Sequence, residues 1–320
     1  MAQQTFSFGS NPRVVITQVD ANLSVRAWKE QLIRVETEGQ VAELRQEGNT
    51  LVISNCNSDL ELWVPALSAS VTSDISVTHL SGDVSIEGTR QVELKEIGGN
   101  VTLKDIAGNV ELENVLGVVE LTSIWGDLRA HSISTLFARK GIGGNALLSN
   151  ISLVEIDSVG GSVVLDRAGT AEILAVGGDL DAEGIEAALR STTVGADCRV
   201  QSCTSAEIII SNVAASLQME GVVSGHMSVI GENLDLQAIF LAGSSTRFHV
   251  GGNAIVTLPD DASLELHAIV GGEMSVESLG SGVGGSLVDL VYGGGAARLD
   301  LLVEGDLSLL GPNMPSRIYL

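Results

Sequence analysis

A nine-residue unit repeats along this chain, and it leaves few folds open. Gly99-Asn100-Val101-Thr102-Leu103-Lys104-Asp105-Ile106 is followed by the matching segments Gly108 to Val115 and Gly117 to Ile124. The shared template is Gly-x-Φ-x-Φ-x-x-Φ, where Φ is apolar. It continues with one-residue slips. Gly144 leads to Ala146, Leu148 and Ile151, Gly178 leads to Leu180, Ala182 and Ile185, and Gly305 leads to Leu307 and Leu309. Φ-x-Φ is the period-two pattern of a strand with one buried face. The third Φ comes three residues later, so the chain must bend to bring it inward. Gly with Asn or Asp is expected to supply the positive φ of that bend. A helix competes poorly, because a Gly every nine residues weakens it by about 1 kcal/mol each time.

Two units make a coil. The expected fold is therefore all-β: a single-stranded parallel β-solenoid, or β-helix, of about 18 residues per coil. Right-handed coiling is expected by analogy with parallel crossovers. Roughly 12 to 13 coils rising about 4.8 Å each would give a rod about 60 Å long. The expected boundaries are 1–80 for N-terminal β coils and a cap, 81–310 for the regular solenoid, and 311–320 for a C-terminal tail. In the first segment Arg13 to Thr17, Asn22 to Val25, Gln31 to Val35 and Thr50 to Ser54 read as strands at looser spacing. Terminal repeats are usually atypical because they cap the stack. A separate β-domain is the other arrangement these residues allow.

Composition agrees with thin aliphatic layers. Hydrophobic residues make up 44% of the 320, aromatics only 3%, and Gly occurs 37 times. The formal net charge is −23. Nucleic acid needs a basic face, and from Gln201 to Thr246 there is neither Lys nor Arg. An acidic shell keeps an elongated particle soluble; cation binding is the sharper reading of the same charge. No window approaches the roughly 18 apolar residues of a membrane span. Met1 to Phe6 has no basic region leading into an apolar run, so a cytoplasmic location is expected, with the cell surface open to a chain exported by another route.

Residues 59 to 130 carry a resemblance. Leu60-Glu61-Leu62-Trp63-Val64-Pro65, then Ser81-Gly82-Asp83-Val84-Ser85-Ile86 and Gly99-Asn100-Val101-Thr102-Leu103, resemble the adhesin-like, head-domain β-helix families of bacteria, whose function is unknown. The resemblance implies a β-solenoid with a surface, adhesive or scaffold role. It supplies no catalytic residues.

The residues themselves suggest no reaction. Calcium-binding nonapeptides need Gly-Gly-x-Gly-x-Asp, but Val101 and Leu180 stand where the fourth-position Gly would be. Asp179, Asp181 and Glu183 are expected to be solvated turn acids, with weak ion binding the alternative. Cys198 and Cys203 fall on inward positions and behave as small hydrophobes. His226, His249 and His267 lie roughly one coil apart; they are expected to be scattered surface residues, with a shared face the alternative. Solenoid glycosidases stack sugars on aromatics, which are scarce here. No catalytic residue, cofactor or metal is therefore expected. The leading expectation is a non-catalytic structural protein that joins copies of itself through solenoid ends, into filaments or a scaffold. The stretch Gly284 to Tyr292, Leu299 to Val303 and the tail Pro315 to Leu320 motivate it, because they stay apolar almost to the end. The alternative is an adhesin-like module that presents a face to glycan or protein.

Overall fold

The computed structural model describes residues 2–38, 41–66, 73–223, 227–279, 281–283, 287–311 and 314–319. Gly284, Gly285, Ser286, His226 and Leu320 lie outside the described residues. The fold is all-β, with one 3₁₀ turn at Glu277–Leu279 and no α-helix among the described residues. The chain forms two compact units, Met1–Gly161 and Ser162–Leu320.

Unit 1 opens with β1 (Ala2–Ser7), β2 (Arg13–Val19), β3 (Leu23–Trp28), β4 (Leu32–Thr37), β5 (Val41–Glu47), β6 (Thr50–Cys56) and β7 (Leu60–Pro65). It continues with β8 (Asp74–Leu80), β9 (Val84–Glu87), β10 (Gln91–Ile97), β11 (Val101–Ile106), β12 (Val110–Ile124), β13 (Leu128–Ile142) and β14 (Ala146–Val159). The repeat sets the register. Val92 on β10 pairs in parallel with Val110, which pairs with Leu128, which pairs with Ala146. The side chains of such a row stack on one another and are almost fully buried. Each larger aliphatic side chain buried in this way is worth about 1.5–3 kcal/mol.

The bend follows the sequence expectation in part. It sits on the residue before the third Φ, which is a residue with a side chain at most positions and glycine at Gly141, before Ile142, and Gly184, before Ile185. Glu96, Asp105, Asn114, Ser123, Ser132 and Asn150 have φ of 56°, 53°, 57°, 57°, 56° and 53°. Asn and Asp tolerate this left-handed region best among residues with a side chain. The template glycines have a different role. A Cβ on Gly99 would lie 2.3 Å from the Gly82 carbonyl oxygen, and one on Gly117 would lie 2.3 Å from that of Gly99. These glycines let the backbones of successive turns touch.

The terminal strands break the sequential order. β2 lies between β6 and β8, and β3 lies between β7 and β9, all in parallel. The strands β2 and β3 are thus inserted between later ones. Outside it the pairing turns antiparallel: β5 on β6, β4 on β7, and β1 on β4.

Unit 2 begins with β15 (Val163–Val176), β16 (Leu180–Glu183), β17 (Ala188–Val194), β18 (Cys198–Val213), β19 (Leu217–Val223), β20 (Met227–Ile230), β21 (Leu234–Phe240) and β22 (Ser245–Val250). It ends with β23 (Ala254–Thr257), β24 (Leu264–Val270), β25 (Met274–Val276), β26 (Ser281–Val283), β27 (Leu287–Tyr292), β28 (Ala297–Val303), β29 (Leu307–Leu310) and β30 (Arg317–Tyr319). Parallel rows continue from Leu180 to Cys198 to Leu217 to Leu234 to Ala254. Here too late strands are inserted between earlier ones. β28 lies between β22 and β24, and β29 lies between β23 and β25. Leu299, Leu301 and Val303 are buried core residues as a result, which accounts for the apolar character of that stretch. β27 closes on β24, β26 on β25 and β30 on β27, all antiparallel.

Candidate functional surface

Outward strand positions and the turns beside them build the surface. In unit 1 one row of turns carries a ladder of side-chain acceptors. Asp59 Oδ1 accepts the Asn22 N–H at 3.0 Å, and Asn22 Oδ1 accepts that of Asp83 at 2.9 Å. Asp83 Oδ1 then accepts from Asn100 at 2.7 Å, and Asn100 Oδ1 from Val118 at 2.9 Å. Outward residues Ser24, Ser85, Thr102, Glu120 and Phe137 flank this ladder, enclosing a shallow groove of about 710 Å³. Unit 2 repeats the arrangement. Asp179 Oδ1 accepts from Asp197, Asp197 from Ser216 and Asn233 from Asn253, at 3.1, 3.0 and 3.0 Å. Arg199, Gln218, Asp235 and Ile255 flank a groove of about 500 Å³. Each groove offers hydrogen-bonding groups repeating at about the 4.8 Å strand spacing. That suits an extended polar ligand better than a small molecule needing enclosure.

Two denser clusters stand on the terminal coils. In unit 1 the Arg34 guanidinium lies 4.6 Å from the Trp63 ring centroid and 6.0 Å from that of Trp28. β4 and β7 place Arg34 directly opposite Trp63, and Arg34 also pairs with Glu36. Two of the chain's three Trp residues are thus stacked on one Arg, which leaves less aromatic surface free for a ligand. In unit 2 Asp300 is only 8% exposed. Burial alone would raise its carboxyl, but hydrogen bonds from Arg298 and Arg247 outweigh that and hold it below the usual carboxylate range. Arg298 Nε donates at 2.8 Å and an Arg247 terminal nitrogen at 3.1 Å.

The residues marked by the sequence are placed as follows. Cys198 and Cys203 are buried, as is Cys56, and all three thiols are free. Burial pushes the Cys198 thiol up to about 12, and the Cys203 thiol also rises through burial. Neither is poised as a nucleophile. Asp179 is part of the turn ladder, while Asp181 and Glu183 point outward from β16. Among the described residues no three His, Cys, Asp or Glu side chains gather as a metal site. His249 faces Glu304 at 3.6 Å and His267 contacts Asp289. β28 lies between their strands, so the two imidazoles belong to separate pairs. The Arg34 stack had no sequence signal, because it depends on an antiparallel return that the nine-residue period does not encode.

No known protein family matches the chain, and no curated protein does. Two solved structures are similar at a low level. One is a candidate cell adhesion protein from Clostridium sporogenes, 10% identical, with 97% of this chain and 98% of that one covered at a TM-score of 0.18. The other is a candidate lipid binding protein from Parabacteroides distasonis, 12% identical, with 97% and 96% covered at a TM-score of 0.23. Similarity at this level carries no argument about fold or role. Among the described residues no helix is long and apolar enough to cross a membrane.

Proposed function

We propose that the chain is a single-stranded, right-handed parallel β-solenoid of about 18 residues per coil, acting as a non-catalytic structural protein that associates through its terminal strands. The register supports the solenoid reading. Strand partners recur eighteen residues apart from Val92 to Val110 to Leu128 to Ala146, as one chain winding on itself requires. The observation that carries the functional reading is where backbone hydrogen bonding stops. Strands inside each unit, such as β12, β18 and β28, are paired on both sides, and the outermost antiparallel strands offer the free edges through which such sheets extend. Copies joined in this way build a filament or scaffold. Negative-stain imaging with a measured mass in solution tests it. Assemblies that grow with concentration are expected. Monodisperse single copies at every concentration would sink the reading.

The two polar grooves favour a second reading, an adhesin-like module that holds an extended glycan or peptide along the ladder. A glycan array read with the full chain separates the two, since this reading requires a ligand and no assembly.

A further inference from the structure

The outermost strands of unit 1 differ in one respect. β5 carries Glu43, Arg45 and Glu47, the kind of charged edge that blunts unwanted pairing. β1 carries no charged side chain, and the first charged residue of the chain is Arg13. It has neither proline nor a bulge. β1 pairs with β4 in unbroken register from Ala2↔Thr37 to Ser7↔Leu32. Among the described residues β4 is the one strand that pairs with it, and at its end the Ser7 carbonyl accepts from Gln46 Nε2 at 2.9 Å. A chain of net charge −23 repels its own copies over most of its surface, but this edge adds nothing to that repulsion. A second observation points the same way. Phe6 stands opposite buried Ile33 and so faces the core side. Yet Phe6 and Phe8, with ring centroids 6.4 Å apart, remain only half-buried. The aliphatic core stops at β1 with two aromatic side chains incompletely covered.

We infer that the β1 edge is a self-association surface, and that its occupant is β1 of a second copy of this chain, paired antiparallel about a two-fold axis. The inference rests on the reading that the chain associates through its terminal strands, and it specifies which strand does so. A two-fold pairing sets the same uncharged strand against itself. It needs no charge complement elsewhere, and it covers the Phe6 and Phe8 rings of both copies. β30 is a poorer partner for β1, because it is three residues long and begins with Arg317.

Sedimentation velocity over a concentration series tests this with the full chain, its Thr5→Lys and Thr5→Glu variants, and their equal mixture. Thr5 is exposed and central in β1. Each variant places like charges across the two-fold axis and is expected to weaken self-association by about tenfold or more. The mixture pairs Lys with Glu and is expected to restore it. Unchanged circular dichroism and melting midpoint confirm that both variants fold. Association that persists in both variants would overturn the β1 assignment and leave terminal association standing. Loss in both variants without rescue in the mixture would overturn the two-fold arrangement. Wild-type chain that stays a single copy throughout would overturn the broader reading as well.

Discussion

The side chain of Asn100 accepts the backbone N–H of Val118 at 2.9 Å, eighteen residues further along. It is the last acceptor of its ladder, because Val118 has no side-chain oxygen to extend it. From here the turn row that began at Asp59 runs within long strands, and β12 spans it without a break from Val110 to Ile124. A second ladder has already begun on another turn row. Asn109 Oδ1 accepts from Asp127 at 3.0 Å and Asp127 Oδ1 from Asn145 at 2.8 Å. Unit 1 thus transfers its turn hydrogen bonding from one row to another between Asn100 and Asn109.

The ladder and its glycines make separable contributions. Asp127→Ala removes one exposed acceptor and is expected to cost about 1 kcal/mol. Gly126→Ala puts a Cβ 2.4 Å from the Gly108 carbonyl carbon, where backbone on both sides must shift. A cost of about 2–3 kcal/mol is expected there. Urea melts of the two variants check the order, and an Asp127 variant less stable than the Gly126 variant would contradict it.

The bend residues respond in the opposite sense to glycine. Asn114 sits at φ 57°, a conformation that is about 1–2 kcal/mol uphill for most side chains. Asn114→Gly is expected to be neutral or slightly stabilising, and Asn114→Val to destabilise by about 1–2 kcal/mol. Parallel denaturant curves decide it. Equal stability of the two variants would mean that the bend is not where the strain lies.

The period that sets these bends was legible in the sequence, and so was the inward placement of Cys198 and Cys203, because burial follows from alternation alone. The spatial order of the strands was not. Successive strands present the same aliphatic rows, so the pattern says which face a residue occupies but not which strand it lies against. Val14 accepts Leu51 and Ile75 as neighbours equally well, and the insertion of β2 between β6 and β8 leaves no mark in the spacing. The antiparallel closures are invisible for a related reason. β4 reads as an alternating strand whichever way it runs, so the meeting of Arg34 with Trp63 could not be foreseen. The bend was expected at Gly with Asn or Asp; Asn114, Asp105 and Gly184 do adopt it, alongside Glu, Ser and other residues, while template glycines such as Gly99 and Gly117 serve close approach.

Asp300 gives the unit 2 terminus a pH dependence of known sign. Its folded pKa lies below the unfolded value, since the hydrogen bonds from Arg298 and Arg247 outweigh the effect of burial. Its contribution is therefore fully present above the unfolded value of about 3.9 and is lost as pH falls through the folded one. Asp300→Asn is expected to destabilise the protein at pH 7 and to matter progressively less below pH about 4. Melting curves from pH 7 to 3 test this, and a penalty that grows on acidification would reverse the assignment.

Burial of the cysteines predicts silent thiols. With Cys198 pushed up to about 12 and Cys203 raised as well, burial holds both of these thiols toward the protonated, unreactive form. Cys56 is buried at 1% exposure. A colorimetric thiol reagent at pH 8 is expected to find almost none of the three cysteines in minutes, and all three in denaturant. Rapid native labelling of even one would show that its strand opens on that timescale.

The Arg34 stack joins β4, β7 and β3 at the outer side of unit 1, and its contribution can be measured apart from the charge. Arg34 meets the Trp63 ring at 4.6 Å and also pairs with Glu36. Arg34→Lys keeps a cation beside Glu36 but loses the flat guanidinium that lies over the ring, so it is expected to retain only part of the stability. Arg34→Ala is expected to cost about 1–2 kcal/mol, combining the lost cation–π contact with the unpaired Glu36. Trp28 and Trp63 supply two of the three tryptophans, so intrinsic fluorescence reports the stack directly. A shifted emission maximum in Arg34→Ala, with a smaller shift in Arg34→Lys, is the expected outcome. Unchanged emission in Arg34→Ala would show that the rings are held by the sheet alone.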